Sequence, residues 1–157
     1  MSPGTIEGTA PFAAGELDHV GMAVPDLAAA SAFYRDALGL TVSAPTVLDG
    51  QGIAIVFVQL ANIRIELIAP TVTVSPLGDV LGERTINHFL AAHPAGGIHH
   101  LCYVVHDLSR SIDGLRDAGI RPLGCGKPII GAHGTPILFF APPVAGDTII
   151  ELRQRAA

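Results

Sequence analysis

Residues 17–27, LDHVGMAVPDL, recur as residues 98–108, IHHLCYVVHDL. Leu17 falls on Ile98, His19 on His100, Val24 on Val105, Asp26 on Asp107 and Leu27 on Leu108, an offset of 81 residues in a chain of 157. A repeat of this length constrains the fold more than any composition does. One supersecondary unit is used twice, and the two copies have to pack on each other.

The segment after each copy repeats as well. Asp26 and Asp107 are suited to cap a helix, because a carboxylate accepts from the first free amides. Leu27, Ala30, Phe33, Tyr34, Ala37 and Leu38 then lie at helical spacing, with Gly39 as a stop. Leu108, Ile112, Leu115 and Ala118 form the second stripe, ended by Gly119. Strand-like runs come next, over 41–48, 53–60 and 62–68 in the first half and 121–125, 136–141 and 147–153 in the second. The halves close alike, Ile63-Arg64-Ile65-Glu66-Leu67 against Thr148-Ile149-Ile150-Glu151-Leu152. Each half is therefore read as βαβββ: module one over about 17–69, a Pro- and Gly-rich linker over about 70–97 with a short helix near 83–92, and module two over about 98–153. Residues 16–153 form one domain behind a tail at 1–15.

Composition narrows the function classes. Nine Lys and Arg against fourteen Asp and Glu give a net charge of −5, without the basic stripe that nucleic-acid binding needs. Mean hydropathy is high, +0.48, yet the longest apolar run, near 53–58, falls far short of the roughly 18 residues of a membrane span. The first residues lack the basic and apolar regions of a secretion signal. Cys102 and Cys125 are read as reduced thiols, which points to the cytoplasm.

Alternation along strands places the polar residues. His19 shares a face with Gly21 and Ala23, and His100 with Cys102 and Val104. Glu66 lies with Arg64, and Glu151 with Ile149 and Arg153. A lone strand histidine is ordinarily packed or surface-exposed, and a lone Glu ordinarily solvated. The repeat changes this, because one His and one Glu recur at matching places. Packed about a pseudo-twofold axis, His19, Glu66, His100 and Glu151 converge. Two imidazoles and two carboxylates suit one divalent ion with open positions, and Co, Mn, Ni, Zn and Mg all tolerate such a set. His99, by the same alternation, points to the other face and is left out. His106 is read as surface.

The segments LDHVGMAVPDL, FYRDALGL, IRIELIAP, GGIHHLCYVV, GAHGTPILFF and DTIIEL resemble the vicinal oxygen chelate superfamily of glyoxalases, bleomycin resistance proteins and dioxygenases, and within it the methylmalonyl-CoA epimerase branch. The resemblance covers roughly 17–153. It implies an α+β fold of two tandem βαβββ modules in a cupped, partly closed mixed sheet, with the metal on His19, Glu66, His100 and Glu151. It also implies a homodimer acting on an acyl-CoA, with neither nucleic acid nor membrane as partner. The implied chemistry is epimerisation of a 2-carboxyacyl-CoA by α-proton abstraction, with the enolate charge held by the metal.

That chemistry needs a proton carrier. Epimerases of this branch place a Glu just before a Gln-Gly or His-Gly pair. Here Gln51-Gly52 aligns, Gly50 stands at the Glu position and Asp49 lies one residue earlier. Asp49 and Glu151 are the expected carriers, with His133, Gln51 and Arg64 toward substrate. Arg64 and Arg153 equally serve to balance the glutamates. A glyoxalase I-like isomerase or lyase with the same ligands, and a cup that binds a small molecule without turnover, are the alternatives.

Overall fold

The computed structural model describes residues 15–143 and 148–156; the tail read at 1–15 lies, apart from Gly15, outside the described residues. Its elements in chain order are β1 (Glu16–Ala23), α1 (Leu27–Ala32), β2 (Thr41–Val42), β3 (Thr46–Leu48), β4 (Ile53–Gln59), β5 (Arg64–Pro70), α2 (Gly78–Leu81), α3 (Ile86–Ala92), β6 (Gly97–Val105), α4 (Leu108–Asp117), β7 (Ile129–Ile130), β8 (Pro136–Phe140) and β9 (Ile149–Gln154).

All strands belong to one curved mixed sheet in the order β2-β4-β5-β1-β6-β9-β8-β7, with β3 also paired to β4. Its centre is the antiparallel pair β1–β6. On either side the order mirrors itself: β1 pairs in parallel with β5 and β6 with β9, and each of those pairs antiparallel with β4 or β8. The repeated segments thus meet at the middle of the sheet, as two copies of one module must when each closes the other's open edge.

Helices α1 and α4 cover the convex face, while α2 and α3 pack on the other, against Ile137, Phe139 and Ile149 and against Ala23, Ile55 and Ile68. Asp26 accepts from the Ala29 amide at 3.0 Å and Asp107 from the Arg110 amide at 3.1 Å, so both expected caps form. Leu108, Ile112 and Leu115 of α4 pack on Val105, Leu138, Phe140 and Leu152, and α1 sets Leu27 and Ala30 against Val24, Val56 and Leu67. Among the described residues no helix is long and apolar enough to cross a membrane.

Three local expectations need correction. The 41–48 run is broken into β2 and β3, because Pro45 offers no amide and the Ser43 side chain accepts from the Phe57 amide instead. The 121–125 run forms only an isolated bridge, Pro122 to Phe140; the chain then bends onto α2, where the Cys125 amide donates to the Asp79 carbonyl at 2.6 Å, and the short edge strand lies later, at β7. Gly124 makes that approach with φ +62°, and a Cβ there would stand 2.0 Å from the Asp79 oxygen. The first helix changes winding: residues 33–37 form a π turn, with the Leu38 amide donating to the Phe33 carbonyl. The extra residue rotates the stripe, so Tyr34 packs inward while Phe33 and Leu38 are exposed.

Candidate metal centre

Strand register explains the site. One row across the sheet runs Phe57, Glu66, Gly21, His100, Ile149, and the next runs Arg64, His19, Cys102, Glu151, Phe139. Each row thus holds one His and one Glu with a small residue between them, and the pseudo-twofold axis passes between the rows. The small residue makes the room: a Cβ on Gly21 would lie 2.1–2.5 Å from three atoms of the His100 ring.

All four side chains are buried. His19 Nε2 and His100 Nε2 are 3.2 Å apart. Glu66 Oε1 lies 3.8 Å from each of these nitrogens, and the Glu151 oxygens lie 3.6 Å from His19 and 3.9 Å from His100. His19, Glu66 and His100 each offer an atom within 4.8 Å of the other two. Burial raises the Glu66 and Glu151 carboxyls above their ordinary range, against the pull of His19. Burial, reinforced by His99 and His19, holds His100 well below its usual value. Burial also opposes the charged form of His19, but the Asp18 hydrogen bond and the charges of Glu151 and Glu66 prevail and raise it.

Asp18, which strand alternation does not single out, is the hub behind His19. Its carboxylate accepts from His19 Nδ1 at 2.7 Å, Arg64 Nη2 at 2.8 Å and Arg153 Nη2 at 2.8 Å. Burial works to raise this carboxyl, but those hydrogen bonds and the two guanidinium charges hold it well below the usual range. Arg64 also lies over the Phe57 ring at 4.7 Å and donates to His133 Nε2 at 3.1 Å. The two arginines are therefore tied into the wall around His19.

The placement of His99 on the far face is a further correction. The β1–β6 register slips at two places, past Asp18 and past His99. Each bulge turns the residue before His19 or His100 back toward that histidine. His99 Nδ1 lies 2.9 Å from His100 Nδ1, and its Nε2 lies 2.7 Å from the Arg84 carbonyl. The repeat held the available signal: Asp18 and His99 occupy equivalent positions.

These hydrogen bonds fix the tautomers. A carboxylate accepts, so His19 carries its proton on Nδ1. A carbonyl accepts, so His99 carries its proton on Nε2, and its bare Nδ1 takes the proton on His100 Nδ1. Nε2 of His19 and Nε2 of His100 then face one another at 3.2 Å, with the Nδ1 side of each ring taken by its own partner. Ligands about 2.1 Å from an ion, at right-angled to tetrahedral geometry, stand roughly 3.0–3.4 Å apart. The observed nitrogen separation fits a shared cation, which would take the place of any proton between the two Nε2 atoms and be held by two imidazoles and two carboxylates.

The centre lies at the floor of a two-lobed cleft. One lobe, about 330 Å³, is walled by Leu48, Ile55, Gly131, His133, Ile137 and Arg153. The other, about 400 Å³, is walled by Ile68, Ser75, Leu77, Leu81, Ile86 and Phe139. Gln51, Glu66 and Glu151 line both. Asp49 sits exposed in the turn before β4, outside these walls, and a Cβ on Gly50 would meet open space.

The sequence pattern of the glyoxalase/bleomycin resistance protein/dioxygenase superfamily matches residues 18–139. The chain belongs to this superfamily. An ethylmalonyl-CoA/methylmalonyl-CoA epimerase of Cereibacter sphaeroides is 45% identical over 140 residues, covering 89% of this chain and 98% of that one. The crystal structure of a methylmalonyl-CoA epimerase from Mycobacterium tuberculosis superposes with a TM-score of 0.76 at 30% identity, covering 98% and 95% of the two chains. A methylmalonyl-CoA epimerase in complex with methylmalonyl-CoA and NH4+ superposes with a TM-score of 0.73 at 27% identity, covering 90% and 94%.

Proposed function

We infer that the chain is an epimerase of 2-carboxyacyl-CoA thioesters such as methylmalonyl-CoA, with one divalent ion held by His19, Glu66, His100 and Glu151. The observation that carries this is the pair of imidazole nitrogens 3.2 Å apart between two buried carboxylates, at the floor of an open cleft. Epimerase relatives that match across nearly the whole chain support it.

A bound ion would supply positive charge that lowers the cost of an enolate oxygen. The chain's own residues do the rest. The apolar lobe around Leu77, Leu81 and Phe139 excludes water from the α-substituent. Gln51 and His133 line one lobe and offer polar groups to the thioester and carboxylate. Glu151 lies at the floor with a carboxyl raised by burial, so it holds a proton more readily than an exposed Glu does. Asp49 serves as the opposite carrier if the 49–52 turn folds inward on substrate. Gly52, with φ +65° and its carbonyl held by the Thr71 amide, anchors the end of this turn, so the inward movement falls on Asp49 and Gly50.

Incubation of metal-loaded protein with (2R)- or (2S)-methylmalonyl-CoA in deuterated water tests the reading. Deuterium is expected at the α-carbon together with loss of configuration. Metal binding without exchange, on either epimer, overturns it. Asp49→Asn is expected to keep fold and metal while slowing exchange roughly a hundredfold, the usual scale for a general base.

The same fold bears on partner and compartment. Leu17, Val20 and Met22 of β1 and their repeat counterparts Ile98, Leu101 and Tyr103 form an apolar stripe on the convex face, with Leu17 and Ile98 exposed. A self-complementary stripe about a pseudo-twofold axis suits a second copy of the chain. Sedimentation should show a dimer, and Leu17→Asp should shift it toward monomer. The free thiols Cys102 and Cys125 suit a reducing compartment such as the cytoplasm.

A further inference from the structure

We propose that His99 is a positioning residue for the metal: it locks His100 in the tautomer with a bare Nε2 and ties that ligand to the segment walling the apolar lobe. The proposal rests on the reading of His100 as a ligand of the ion.

The geometry is a relay of three groups. The Arg84 carbonyl, between α2 and α3, takes the His99 Nε2 proton at 2.7 Å; His99 Nδ1, left with a lone pair, takes the His100 Nδ1 proton at 2.9 Å. The direction of the relay is forced from its far end, because a carbonyl cannot donate. Both rings are buried, so water cannot substitute for either bond. Packing holds His99 as well: its ring meets Phe89 of α3 edge-on, with centroids 5.6 Å apart.

The two halves solve the same problem with different chemistry. Behind His19 stands the anion Asp18; behind His100 stands a neutral imidazole ended on a backbone carbonyl. The symmetric bulges set both residues in place, and the chain fills them unequally. The carboxylate side brings a charge that Arg64 and Arg153 balance, whereas the imidazole side orients its ligand without charge. Arg84 lies between Leu81 and Ile86, both walls of the apolar lobe, so movement of that wall reaches His100 through two hydrogen bonds.

Two measurements on the full chain test this. In metal-free protein, nitrogen-15 NMR of the His100 ring should show a protonated Nδ1 and a bare Nε2; a protonated Nε2 overturns the proposal whether or not the chain is an epimerase. Co2+ titration, followed by visible absorption, should show about 10–100-fold weaker binding in His99→Leu, the usual scale for such a partner. His99→Asn should recover most of the loss, because its amide oxygen takes the place of Nδ1. A purely packing role predicts the reverse order, with Leu the milder change. Unchanged Co2+ affinity in His99→Leu also overturns the proposal. Absence of Co2+ binding in the unmodified protein defeats the metal reading itself, and the NMR result then decides the tautomer alone.

Discussion

Gly21 shows how a single residue shapes the centre. It lies on the sheet row between Glu66 and His100, and the imidazole occupies the space of its missing side chain. Even one methyl group would overlap three ring atoms. Gly21→Ala is expected to fold, since β1 stays paired on both sides, but to push the His100 ring off its position. Metal content by elemental analysis should fall far below one ion per chain, as it should in His100→Ala. The alternation that singled out His19 and His100 already noted the small neighbours. It missed Asp18 and His99 because a bulge places two successive residues on one face, and no local composition announced the slip.

At the scale of elements, the caps and the π turn teach opposite lessons. Asp107 caps α4 through a local bond to the Arg110 amide, and local chemistry of this kind is readable three residues ahead. Asp107→Ala should destabilise the fold by about 1 kcal/mol in urea unfolding, leaving metal affinity unchanged. The π turn at 33–37 arises from the need to seat Tyr34 on the sheet while Phe33 turns outward, which is decided by packing against Met22, Leu40 and Val42. The same holds for 121–125. Leu123 and Cys125 suit a strand, but Pro122 offers no amide, Gly124 turns the chain at φ +62°, and contact with α2, a four-residue helix with no distinct sequence signature, bends it away.

For the whole molecule, binding of a divalent ion is expected to depend steeply on pH. The ion has to displace the protons that burial favours on Glu66, raised to about 7, and on Glu151. Protons and metal compete for one deprotonated set, so protonation below that range opposes binding. Apparent affinity should therefore rise from about pH 6 to about pH 8 and level off above, which Co2+ titrations across the series will show. Flat affinity across that range would mean that the glutamates do not ligate.

The sequence alone determined that two similar modules exist, that each carries a helix capped by Asp26 or Asp107, and which His and Glu recur in both. These features follow from periodicity and capping, which act over a few residues. Tertiary structure decided how the modules met: β1 against β6, with the register that stacks Glu66, Gly21 and His100 in one row and His19, Cys102 and Glu151 in the next. It also set the bulges that bring Asp18 and His99 behind the imidazoles, and the outward position of Asp49. Register and bulges depend on pairing between segments far apart in the chain, and no window of neighbouring residues contains that information.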